Sequence, residues 1–157
     1  MKIKFSETFK SKHQVIFYIQ DSKILVSEKW RKQNNETHDY IKNLLHLPEI
    51  KKNKNQLLQT FAPDMTHLLI VRIELSQSQY SFLSLGGRVG KEIQKMRTSK
   101  ILLVFPDQTT YHQKFYRHLQ QLLEGILLGL YRYQEFKTTT SQTNSSPTDI
   151  VLGVKKS

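Results

Sequence analysis

An α/β fold, a mixed and mostly parallel sheet flanked by helices in a three-layer sandwich, is what this chain predicts. Three observations predict it. Val15–Ile19, His67–Ile73 and Ile101–Phe105 are short apolar runs rich in β-branched and aromatic residues. Runs that stay apolar on both alternating faces suit strands buried inside a sheet. Two stretches with apolar residues at helical spacing, 76–96 and 110–137, lie beside the second and third runs. Strand and helix therefore alternate, and that alternation argues for a layered α/β domain with right-handed crossovers between parallel neighbours.

Taken in order, Val15–Ile19 is the first clear strand. Asp21 and Ser22 supply turn chemistry, and Lys23–Val26 is short enough for a second strand. Glu28–Asp39 is polar and reads as a loop, with Trp30 beside Arg31 and Lys32. An exposed Trp next to two cations suits stacking on a nucleic-acid base. A lone Trp also suits plugging the rim of a core, and the residues alone leave both readings open. Tyr40–Leu47 has helical spacing, stops at Pro48, and has Thr37 or Asp39 as its expected cap. Lys51–Asn55 reads as a cationic connector, Gln56–Phe61 as a modest strand, and Ala62–Asp64 as a turn.

In the first long helix Phe82, Leu85, Val89, Ile93 and Met96 share one face. Arg88, Lys91 and Lys95 fall within about 60° of one another on the other side. Gly86, Gly87 and Gly90 thin its early turns. The last helix has Thr109 or Thr110 to cap it, with Gln113 in capping-box position after Thr110. Phe115, Leu119, Leu122, Leu123, Ile126, Leu130 and Tyr133 form its stripe, flanked by Gly125 and Gly129. Each glycine costs a helix interior about 1 kcal/mol against alanine. Close packing of the backbone, most simply on the sheet, is the expected reason. After Lys137 a Ser/Thr-rich tract has linker composition, and Ile150–Val154 reads as a final strand. The expected division is a domain over 1–137, with 138–157 a linker and the start of a connection onward.

A chain of 157 residues is the natural size of one domain. It has no cysteine, which removes disulfides and thiolate chemistry. No run is apolar and long enough to span a membrane, and Met1–Ser6 has no signal-peptide core. Cytoplasm is the expected compartment. The net charge of +11 is spread along the chain rather than gathered in a tail. Such an excess favours anionic partners and also serves solubility.

Chemistry is harder to find. Leu85–Lys91 (LGGRVGK) is the one glycine-rich candidate for a phosphate loop. It satisfies neither the dinucleotide fingerprint nor the P-loop, since Glu92 follows Lys91. The histidines at 13, 38, 46, 67, 112 and 118 never stand four apart, and His112 and His118 diverge around their helix. There is no G-x-S-x-G elbow.

The helix end Glu124–Tyr133 (EGILLGLYRY), with Phe136 and Lys137 after it, resembles the "EG…LG.Y.F..YK" signature of the leucine (cytosol) aminopeptidases. That helix closes the N-terminal domain of the family. The order of a strand, a glycine-containing helix at Leu85–Lys91 and the Ile101 strand is similar too. The resemblance covers roughly residues 60–154 and implies a macro-domain-like topology. It also implies a non-catalytic domain whose partners are a C-terminal catalytic domain, expected beyond Ser157, and the other subunits of a homo-oligomer. The two divalent metals of the family, Zn or Mn, belong to that catalytic domain, around an "NTDAEGR" motif absent here. No catalytic, cofactor or metal residue is therefore carried over. One departure stands out: the family continues the Ile70 strand into a "GLG" turn, whereas Glu74–Ser76 follows here.

The expected function is thus structural, within a protein that removes N-terminal residues from peptides. The alternative is a nucleic-acid-binding module using Arg88, Lys91 and Lys95, with Trp30, Arg31 and Lys32. A macro-like binder of ADP-ribose or another nucleotide, using the glycine-rich segment, is a third.

Overall fold

In the computed structural model the residues described are 2–6, 9–19, 22–53, 55–75, 78–107, 113–135 and 149–153, with side chains as far as Tyr131 in the last helix. Thr109, Thr110, His112, Phe136, Lys137 and the 138–148 tract lie outside them, so the expected cap and linker do too.

Each apolar run is a strand for the reason its composition gives. Val15, Ile16 and Phe17 are fully buried, as are Leu68 to Val71 and Ile101, Leu103 and Val104. Residues pointing to both faces of the sheet are therefore withdrawn from water, which only a central strand requires. The strands are β1 (Lys2–Ser6), β2 (His13–Ile19), β3 (Lys23–Leu25), β4 (Leu57–Phe61), β5 (His67–Ile73), β6 (Lys100–Val104) and β7 (Asp149–Gly153). They form one sheet in the order β1-β7-β6-β2-β5-β4, with β3 beside β2. β1, β7, β6, β2 and β5 run parallel, while β3 and β4 are antiparallel to β2 and β5. The fold is α/β, with a mixed and mostly parallel sheet.

Two compact units can be distinguished, one built on this sheet and the other a pair of helices. In the sheet unit α1 (Glu28–Gln33), α2 (Asn35–Leu45) and α3 (Pro48–Lys52) lie between β3 and β4 in sequence. Trp30, Ile41 and Leu45 join Ile16, Tyr18, Leu68, Ile70, Leu102, Val104 and Val151 in one core. Those strand positions alternate, so the core lies on one face of the sheet.

Here the structure corrects three expectations. Residues 28–39 are not a loop but α1, Asn34 and the first five residues of α2. Ser27 caps α1 by accepting from the Trp30 amide at 3.1 Å, and burial of Trp30 anchors the helix. The N-cap of α2 is Asn34 rather than Thr37 or Asp39, and its side chain makes no capping bond. It donates instead to the carbonyls of Phe9 and Trp30. Lys51 and Lys52, expected in a connector, end α3, where cations suit the negative end of a helix. A fourth element, β1, has no counterpart in the expectations. β7 realises the final strand, and it is no terminal appendage: it pairs with β1 on one side and β6 on the other.

The second unit holds α4 (Gln79–Lys95) and α5 (Gln113–Glu135). Phe82, Leu85, Val89 and Ile93 are fully buried on α4; Leu122 and Ile126 are on α5, with Phe115, Leu119 and Leu130 nearly so. The Phe82 ring stacks on His118, with centroids 4.5 Å apart. The glycines explain how closely the helices meet. A Cβ on Gly90 would come within 2.7 Å of the Ile126 carbonyl oxygen, and one on Gly129 within 2.7 Å of the Gly87 carbonyl oxygen. What Gly125 and Gly129 face is therefore the backbone of α4. The expectation of close backbone packing holds; the surface involved is a helix.

Candidate functional site

The residues proposed for nucleic acid fall into two groups, one in each unit. On α4, Arg88, Lys91 and Lys95 are all exposed, on the side opposite the buried Phe82–Ile93 stripe. Their spacing follows from helical geometry: three and four residues along an α-helix return to the same side. Lys95 forms an ion pair with Glu92 at 2.6 Å. The face is cationic, and the charge of Lys95 is matched by Glu92.

The second group breaks up. Arg31 and Lys32 are exposed, and Lys32 pairs with Glu28 at 3.2 Å. Trp30 is 0% exposed, and its indole N–H donates to Gln14 Oε1 at 3.0 Å. Gln14 is itself buried and donates from Nε2 to the Ser11 carbonyl. Trp30 cannot stack on a base without leaving this network, so the core reading replaces the stacking one. The cause is amphipathic: the ring is apolar enough to bury and its one N–H has a partner inside.

The glycine-rich segment lies in the helix, where its spacing placed it. Leu85–Lys91 lies inside α4 rather than in a loop opening it, and Gly86 and Gly90 are occupied with the backbone of α5. A phosphate cradle needs amide groups pointing out of a loop or a helix start. Mid-helix amides are bonded within the helix, so this segment offers none, and the ADP-ribose reading loses the feature that motivated it.

Among the described residues no three His, Asp or Glu side chains gather as a metal site would need. His13 and His67 stand opposite each other on the first rung of the β2–β5 ladder, their rings 5.6 Å apart. Burial, with the neighbouring His67 and Lys12, holds His13 below the ordinary imidazole range; burial does the same for His67. His67 also stacks on Phe61 and bonds Gln59 at 3.2 Å.

Hollows open at both ends of the central strands of the sheet unit. A cleft of about 660 Å³ opens where β2 and β5 begin, with Lys10, Lys12 and Lys32 on its rim beside Glu36 and Asp64. Its charges largely offset one another. A pocket of about 460 Å³ lies at the other end of the same strands, lined by Tyr18, Ser22, Leu45, His46, Ile50, Lys51 and Arg72. Among the described residues no carboxylate lines it. Sequence reading missed this pocket because its residues come from β2, a turn, α2, α3 and β5, with no spacing to connect them.

Comparison with known proteins decides the family. A model of the cytosol aminopeptidase family, N-terminal domain, matches residues 15–140. The chain belongs to the cytosol aminopeptidase family. It represents the N-terminal domain of that family, as the helix signature at Glu124–Tyr133 implied. A search among curated proteins gave no match. Among solved structures, a mutant of tomato leucine aminopeptidase is similar, with a TM-score of 0.61 at 12% identity over 98% of this chain. At that identity the likeness speaks to the fold. The chain spans 32% of the length of the tomato enzyme's chain. No helix among the described residues is long and apolar enough to cross a membrane.

Proposed function

We propose that this domain is non-catalytic and architectural: it packs beside the catalytic domain of a cytoplasmic leucyl aminopeptidase-type metallopeptidase and helps shape the oligomer. The observation that carries this reading is the family match over residues 15–140, together with a domain that spans only 32% of a similar enzyme's chain. In such a protein the two divalent metals and the hydrolysis of N-terminal residues would reside in the other domain. The motif that holds them, "NTDAEGR", does not occur here. Reading the gene past Ser157 tests the proposal. An open frame encoding that motif is expected, and a stop codon directly after Ser157 would contradict it.

A second reading has one observation in its favour, the exposed Arg88, Lys91 and Lys95 on α4. Side chains of that kind bind phosphates with little sequence preference. Duplex binding and its salt dependence test it.

A further inference from the structure

We infer that the pocket at the C-terminal ends of β2 and β5 is a binding site for a small phosphomonoester, with the phosphate between Arg72 and Lys51. The inference is independent of the architectural reading, because it concerns a surface of the sheet unit alone. Tyr18 and Arg72 are register partners on the parallel β2–β5 ladder, so their side chains rise on the same face next to each other. In open α/β sheets the carboxyl ends of parallel strands are where ligands are held, because the loops leaving them form a crevice.

The lining has the chemistry of an anion site. Arg72 and Lys51 are cationic, Tyr18 and Ser22 carry hydroxyls, and none of the described lining residues is a carboxylate. Glu74 pairs with Arg72, its Oε1 3.4 Å from Nη2, and the Asn53 carbonyl accepts from Nη1 at 3.2 Å. These contacts fix the plane of the guanidinium, which favours forked contact with phosphate oxygens. Ser22 is held at the mouth in a left-handed conformation, φ 62°, with its amide bonded to the Ile19 carbonyl. His46 donates from Nδ1–H to the Lys42 carbonyl oxygen at 2.6 Å. Because a carbonyl can only accept, Nδ1 carries this hydrogen, and Nε2 is the ring nitrogen left to meet a ligand hydroxyl.

Size sets the ligand class. A volume of about 460 Å³ exceeds what a lone phosphate fills and lies in the range of small-molecule sites. Leu45 and Ile50 supply an apolar wall for the carbon part of the ligand. The larger cleft is a useful contrast, since Glu36 and Asp64 sit among its lysines.

The test uses the full chain, titrated with ribose 5-phosphate and followed by amide chemical shifts. Saturable shifts are expected at Tyr18, Ser22, His46 and Lys51. Ribose alone should leave them unmoved. Lys51→Gln, on the exposed side of α3, should weaken binding by about tenfold or more, the size of one charge-assisted contact. Lys52→Gln, a neighbour outside the pocket, should not. Three results would overturn the inference: no saturable shift, shifts centred on Lys10, Lys12 and Lys32, or equal weakening by both substitutions.

Discussion

Gly86 of α4 and Gly125 of α5 lie backbone against backbone. A Cβ added to Gly86 would sit 2.9 Å from the Gly125 Cα, and one added to Gly125 would sit 3.0 Å from the Gly86 Cα. One turn along each helix Gly90 and Gly129 repeat the relationship, with a Cβ on Gly90 3.2 Å from the Gly129 Cα. The atoms met are backbone, which has no rotamer to yield. Four glycines thus set the spacing of the helical unit.

Neighbouring glycines should therefore respond oppositely to the same substitution. Gly86→Ala overpacks the helix pair and should destabilise by about 1–3 kcal/mol. Gly87 has nothing within 4 Å of an added Cβ. Gly87→Ala should stabilise by about 0.5–1 kcal/mol, since only helix propensity changes. Urea denaturation of the two variants decides it. Equal effects in the same direction would show that the glycines do not set the spacing.

Trp30 is the single tryptophan of the chain, and it makes a convenient probe. Its emission should be blue-shifted in the native protein and should not be quenched by single-stranded DNA, because the ring is buried and bonded to Gln14. Gln14→Leu leaves the indole N–H without its buried acceptor and should cost about 1–3 kcal/mol. Quenching on addition of oligonucleotide would restore the stacking reading.

The central strands, the two long helices and the family were legible in the sequence. Continuous apolar runs mark β2, β5 and β6, and the stripes of α4 and α5 recur with clear helical period. β1 was not legible, because an exposed edge strand alternating Lys2, Ile3, Lys4 and Phe5 needs no buried face to declare it. Its partner β7 lies at the far end of the sequence. Residues 28–39 were misread because α1 buries Trp30 alone, and one apolar residue has no period. Periodicity showed glycine pairs four apart on two helices, but which surface each pair met is a tertiary fact. The same holds for the pocket, whose lining is gathered from separate elements.

Stability should depend on pH through the facing pair His13 and His67. Both are held below their ordinary value of 6.5, so the folded state favours the neutral rings. The unfolded chain then binds more protons in the window just below 6.5, and stability there rises with pH. It should be fully present above pH 6.5 and decline as pH falls through the lower folded values. Denaturant midpoints at pH 7.5, 6.5 and 5.5 measure this, and His13→Gln should flatten the dependence. A midpoint that rises on acidification would reverse the sign and contradict the account.

The cationic face of α4 makes a quantitative prediction about duplex DNA. Each phosphate neutralised contributes a log–log salt slope of about −0.9, so three contacts give about −2.7. Replacing Arg88, Lys91 and Lys95 by glutamine should flatten the slope while leaving the fold intact, as none belongs to the buried stripe. Absence of binding at low salt, or a slope indifferent to the triple substitution, would leave the charge as a solvating surface.

The central claim is that this domain carries no peptidase chemistry of its own. Hydrolysis of leucine amide by the purified chain, with added manganese or zinc, tests it most directly. No turnover above the metal-only control is the predicted result; turnover that follows the protein through purification would contradict the claim.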